Sequence, residues 1–176
     1  VNRDHDSFIA DYIDGIDQQA RLAGYTVEVN MFANTRAEET VRFLSSLSAA
    51  GAIVLGTEMS VDDVRAFEKT TLPAVILDTY YNFLPLNFVD MSNGVAAWTA
   101  VSHFVDRGHR DIGFVKGAVE VANFRLREKG FVDAMDRLGL PMNEKSVIPV
   151  DATFDGACRD MRAYLAQGGK IPPALC

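Results

Sequence analysis

The stretch GHRDIGFVKG, Gly108 to Gly117, decides the fold because it joins a helix to a strand. Upstream, Trp98, Val101, Phe104 and Val105 recur at i, i+3 and i+4 spacing, which places them on one apolar face of a helix. Gly108 falls where a left-handed C-terminal cap belongs, a conformation cheap only without a Cβ. Ile112, Phe114 and Val115 then form a short apolar run that reads as a buried strand, closed by Gly117.

The same alternation extends in both directions. Ser7 is positioned to cap a helix from about Phe8 to Ala23, with Ile9, Tyr12, Ile13, Ile16 and Ala20 on its inner face. Gly24 stops that helix, and Tyr25 to Phe32 alternates like a strand, with Val27, Val29 and Met31 on one side. Thr35 and Glu38 have capping-box spacing, so a second helix is expected from Arg36, carrying Val41, Leu44 and Leu47 inward. Ala52 to Leu55 is a short apolar strand, and Ser60 with Asp63 caps a third helix ending near Thr70.

Pro73 is followed by AVILD, Ala74 to Asp78, another buried strand. An aromatic and proline-rich loop (Tyr80, Tyr81, Phe83, Pro85) leads to a brief strand at Phe88 and Val89. Beyond Gly117, helices are expected over about Asn123–Leu138 and Asp155–Gln167, flanking a strand at Val147–Val150. Short apolar strands between amphipathic helices predict an α/β fold with parallel sheets covered on both faces.

Composition narrows the function. The chain has 176 residues, 48% of them hydrophobic and 23% charged, and its net charge is −7. That charge argues against these residues gripping a phosphate backbone, which needs concentrated Lys and Arg. No apolar run approaches the length of a membrane span, and the polar N-terminus VNRDHDSF has no apolar signal-peptide core. Cys158 and Cys176 are the only cysteines; Cys158 is expected to pack as a small hydrophobe on a helix, which fits a reducing cytoplasm.

Several stretches, in order, resemble the effector-binding core of the LacI/GalR family of bacterial transcriptional regulators. They are FIADYIDGIDQQARLAGYTVEV (Phe8 to Val29), NTRAEETVRFLSSLSAAGAIVLG (Asn34 to Gly56), LPAVILD (Leu72 to Asp78), GHRDIGFVKG, NFRLREKGF (Asn123 to Phe131) and IPPAL (Ile171 to Leu175). GHRDIGFVKG followed by the arginine-x-x-glycine-aromatic element is specific in combination. The resemblance implies a two-lobed, periplasmic-binding-protein-like type I fold. An N-terminal lobe would cover residues 1–90 and an incomplete C-terminal lobe residues 91–176. It also implies a small-molecule effector (sugar or nucleoside-like), a homodimer, and operator DNA bound through a helix-turn-helix outside this chain. No cofactor is expected. Two departures stand out: Met91 and Ser92, followed by Asn93, replace an aspartate–asparagine pair, and Thr79 replaces an arginine.

Ligands of open α/β folds collect beyond the carboxyl ends of strands, so residues there are the candidates. Asp78 follows its strand directly and is either a loop cap or an acceptor for ligand hydroxyls. Arg127 lies one helical turn after Asn123, and its planar fork suits carboxylate, phosphate or vicinal hydroxyls. The family's effector-binding arginine falls at Arg127, with a neighbouring polar contact at Asn123. Phe8, Phe154 and Tyr80 are candidates for stacking at a cleft mouth, and Thr57 for a polar contact there. His109 is expected to be structural. His5, His103 and His109 lack metal-ligand spacing, and no nucleophile elbow or phosphate-binding glycine loop is present, so an enzyme is not expected. A periplasmic sugar-binding protein of an uptake system is the alternative.

Overall fold

The computed structural model describes residues 6–32, 36–142 and 146–176, with side chains from residue 9 onward. The chain forms two compact units, residues 1–36 and 37–176. In the first, α1 spans Asp6–Leu22. It starts ahead of Ser7, so Ser7 is not its cap. Ile9, Tyr12, Ile13, Ile16 and Ala20 are all half-buried, as their spacing predicts. Gly24 ends the helix at φ +81°, where the Tyr25 N–H reaches back to the Ala20 carbonyl at 2.9 Å. The strand expected at residues 25–32 is not formed. Alternation supplies a face but not a partner, and the described part of this unit holds only a helix. Val29 and Met31 are exposed.

The second unit holds α2 (Ala37–Ser46), β1 (Ala52–Leu55), α3 (Val61–Ala66) with a 3₁₀ turn at Phe67–Lys69, β2 (Ala74–Leu77) and β3 (Asn87–Val89). It continues with α4 (Asn93–Asp106), β4 (Ile112–Gly117), α5 (Ala122–Arg137), β5 (Val147–Val150), α6 (Phe154–Ala166) and β6 (Ala174–Leu175). The expected box at α3 is present in both directions. The Ser60 hydroxyl accepts from the Asp63 N–H, and the Asp63 carboxylate accepts from the Ser60 N–H. Thr35, the expected cap of α2, lies outside the described residues.

Two parallel three-stranded sheets result, ordered β1-β2-β3 and β5-β4-β6. Val54, Ile76 and Phe88 of the first sheet join a core with Val41, Leu44, Val64 and Phe67 from the helical side. Ile53 and Val89, at alternate positions, are exposed. At the other sheet, Ala97 and Val101 of α4, Ile112 and Phe114 of β4, and Phe131, Ala134 and Met135 of α5 form a second core. The Phe114 and Phe131 rings stack with centroids 5.1 Å apart. Gly108, at φ +89°, makes the turn from α4 into β4, and the His109 N–H donates to the Phe104 carbonyl at 3.0 Å.

Helices α4 and α5 approach closely where Gly130 meets Gly94. A Cβ on Gly130 would stand 2.6 Å from the Gly94 carbonyl oxygen and 2.8 Å from its Cα. In an open helix, alanine is better than glycine by about 0.5–1 kcal/mol. Gly15 in α1, with nothing within 4 Å of such a Cβ, should gain that amount when changed to Ala. Gly130→Ala should instead lose about 1–3 kcal/mol, because the obstacle is backbone that has no rotamer to yield. Urea unfolding midpoints of the two variants should therefore move in opposite directions.

Candidate functional site

The carboxyl ends of the first sheet's strands deliver Thr57, Asp78 and Asp90 to one place. Two ladder extensions set them there: the Gly56 N–H donates to the Leu77 carbonyl at 2.9 Å, and the Asp78 N–H to the Val89 carbonyl at 2.9 Å. Gly56 has no room for a Cβ, which would lie 2.8 Å from Ile76 Cγ2 and 2.9 Å from Thr79 Cγ2. Asp78 has φ +60°, in the left-handed region, and is 2% exposed. Aspartate is among the few non-glycine residues that adopt this conformation readily.

The first turns of α4 and α5 converge on the same point. Asn123 donates from Nδ2 to Asp78 Oδ1 at 2.9 Å and to the Asp78 carbonyl at 3.1 Å. Thr57 donates its hydroxyl to Asp78 Oδ2 at 2.6 Å, so protein groups engage both carboxylate oxygens. Asn93 donates from Nδ2 to Asn123 Oδ1 at 3.1 Å and to the Met91 carbonyl at 3.1 Å. Arg127 donates from Nε to Asn93 Oδ1 at 2.7 Å, and its guanidinium carbon lies 5.8 Å from the Phe124 ring centroid. Among the described residues, nothing engages the two terminal nitrogens of Arg127. Beside this cluster the Thr79 hydroxyl is fully buried, and among the described residues it has no hydrogen-bond partner.

The structure thus brings Thr57, Asp78, Asn123 and Arg127 together, as their positions suggested, and adds Asn93 and Asp90. In the sequence, Asn93 stands out only as a departure from a family pattern. Its place just after a strand, opening a helix, is the signal that marks it. Tyr80 stands apart from the network. It is 53% exposed and edge-on to Phe88, with centroids 5.6 Å apart. Phe154, 77% exposed, opens α6 after the N-cap Thr153. Hydrogen bonds from the Thr153 hydroxyl and N–H hold the nearby Asp151 carboxyl below its ordinary range. The side chain of Phe8 lies outside the described residues.

The family model described as periplasmic binding proteins and the sugar-binding domain of the LacI family matches residues 1–175. The chain belongs to this family. Among curated members, the transcriptional repressor PurR of Photobacterium profundum is 27% identical over 183 residues, taking in 100% of this chain and 54% of its own. The repressor CytR of Escherichia coli K12 is 26% identical over 162 residues, or 91% of this chain and 48% of its own. The chain spans about half the length of these relatives. A LacI-family regulatory protein from Chloroflexus aggregans superposes with a TM-score of 0.78 at 21% identity, covering 92% of this chain and 59% of that one. The Lac repressor dimer bound to operator and the anti-inducer ONPF gives 0.78 at 23% identity, covering 93% and 57%. The fold is therefore the periplasmic-binding-protein-like α/β fold of LacI-family domains.

As in other α/β domains, this member gathers its polar groups beyond the carboxyl ends of the strands. Among the described residues, no group of three or more His, Cys, Asp or Glu side chains could hold a metal ion. No helix among them is long and apolar enough to cross a membrane.

Asp90 sits partly buried at the edge of this network. Burial pushes its carboxyl above the ordinary range and the Asp78 charge adds to this. Hydrogen bonds from the Met91 N–H and Asn93, and the Arg127 charge, oppose the shift. An acid whose folded value is raised binds its proton more tightly when folded, so its contribution to stability falls as pH rises from about 3.8 through the raised value. Asp90→Asn should therefore be more stable than the parent at pH 7, and that advantage should shrink as pH falls through this window. Urea unfolding of both proteins at several pH values measures the difference.

Proposed function

We propose that this chain is the effector-sensing part of a LacI-type DNA-binding transcriptional regulator, with residues 1–90 contributing one lobe and 91–176 part of a second. A small molecule, a sugar or nucleoside-like compound, binds in the cleft between the lobes and favours one lobe arrangement over another. Operator DNA is contacted through a helix-turn-helix outside these residues, in a cytoplasmic homodimer, and no reaction is catalysed. The relatives named above are transcriptional repressors, which supports this reading over uptake. The net charge of −7 is consistent with DNA being gripped elsewhere.

One observation carries the proposal. Arg127 is anchored through Nε while its terminal nitrogens are left for a ligand, beside the end of β2 and the first turn of α4. A guanidinium fixed by one edge presents the other as a two-pronged donor, suited to paired oxygens of a ligand. Phe154 and Tyr80, both exposed, are the aromatic surfaces proposed to meet a ligand ring. Such a ligand shifts the lobe equilibrium only by its differential affinity for the two arrangements.

A thermal-shift screen over sugars and nucleosides identifies the ligand, and calorimetry measures its affinity. Arg127→Ala should weaken binding by about 10- to 100-fold, the range expected for losing charge-assisted hydrogen bonds, with the unfolding transition still cooperative. Unchanged affinity would remove Arg127 from the site.

A further inference from the structure

The hydrogen bonds between Arg127 and Thr57 form a chain whose direction is dictated from both ends. A guanidinium has donors and no acceptor, so only Oδ1 of Asn93 can face Arg127 Nε, at 2.7 Å. That choice turns Asn93 Nδ2 towards Asn123, which must answer with Oδ1, at 3.1 Å. Asn123 then has only its Nδ2 left for Asp78, and the carboxylate is an acceptor that takes it at 2.9 Å. The second carboxylate oxygen accepts the Thr57 hydroxyl at 2.6 Å. Flipping either amide would set donor against donor on one side and acceptor against acceptor on the other. Asp78, Asn93 and Asn123 are each no more than 3% exposed, so water is poorly placed to repair such a mismatch.

We propose that Thr57, Asp78, Asn123 and Asn93 are positioning residues that act in series to orient Arg127, and that Asp78 serves as the fixed end of this relay instead of meeting the ligand. The relay's function rests on Arg127 being the effector contact. It runs from the ends of β1 and β2 to the first turns of α4 and α5. Moving the first sheet relative to α5 therefore withdraws the acceptor that orders the Asn123 amide and, through it, one of the partners that hold Asn93 beside the Met91 carbonyl, which loosens the guanidinium. By reciprocity, a ligand that fixes the guanidinium favours the arrangement in which the relay is closed. This is a specific way for occupancy at Arg127 to be coupled to the relative placement of the two sheets.

The polarity supplies the test. Asn123→Asp sets two acceptors against each other at Asp78 and should break the relay. Adding Asp78→Asn restores the side-chain link with its direction locally reversed, while the main-chain carbonyl at position 78 stays without its Asn123 donor. The new amide at position 78 then donates to the new carboxylate at position 123, which still accepts from Asn93. The amide oxygen at position 78 still accepts from Thr57, and the double variant keeps the parent's net charge. The readout is water exchange of the Arg127 Nε–H, followed by NMR in arginine-labelled intact protein without ligand and assigned by its loss in Arg127→Lys. Exchange should quicken by about tenfold or more in Asn123→Asp and return close to the parent rate in the double variant.

Unchanged exchange in Asn123→Asp, or a double variant that stays unprotected, overturns the proposal. So does an Asn123→Asp that only lowers the unfolding temperature, since that is what a purely structural asparagine would do. If Asn123→Asp alone does not fold, the double variant decides. Folded and protected, it supports the relay; unfolded or unprotected, it refutes it. Because no ligand is used, failure here is separable from failure of Arg127→Ala to weaken binding.

Discussion

The close approach of α4 and α5 at Gly94 and Gly130 is the constraint on which the site depends. A Cβ on Gly130, midway along α5, would stand 2.6 Å from the Gly94 carbonyl oxygen at the start of α4, so the two helices approach this closely only because the position lacks one. Asn93 immediately precedes Gly94, and Arg127 lies one turn before Gly130. The crossing that lets the backbones touch therefore also brings the asparagine to the arginine. Phe131, next to Gly130, is fully buried and stacks on Phe114 of β4. Apolar packing on one side of α5 thus holds in register the polar groups at its start.

Local chemistry is legible in the sequence. The Ser60–Asp63 box, the Gly108 turn and the strands at Ala52–Leu55 and Val147–Val150 each follow from a few neighbouring residues, and the structure shows them. Asp78, Asn123 and Arg127 stand out by their places after a strand or on a helix face. What stays hidden is their pairing, because Asp78 and Asn123 are separated by 45 residues, and no periodicity encodes a contact of that range. Asn93 is marked by its place after a strand, but its partners Asn123 and Arg127, 30 and 34 residues away, are hidden for the same reason. The alternating segment at residues 25–32 fails in the opposite sense: its pattern describes a strand, but a strand also needs a neighbour to bond.

The network also sets the electrostatics of the site. The Asp78 charge raises the cost of ionising Asp90, while Arg127 offsets part of it. A ligand held as proposed on the free edge of Arg127 would compete for a cation that already steadies an acid. On the proposed function, effector binding and the local balance of charge would not be independent, which is one physical route by which occupancy and conformation would become linked.

The left-handed backbone at Asp78 has a consequence for which sequences this position admits. Two demands meet in one residue: a φ of +60°, and a side-chain oxygen facing Asn123. Glycine satisfies the first and lacks the second. Glutamate carries the oxygen but is displaced by a methylene and is less at home at positive φ. β-branched residues are strained there whatever they carry. Asparagine alone, among close substitutes, meets both, so substitution at position 78 is all but closed by geometry, whatever the ligand turns out to be.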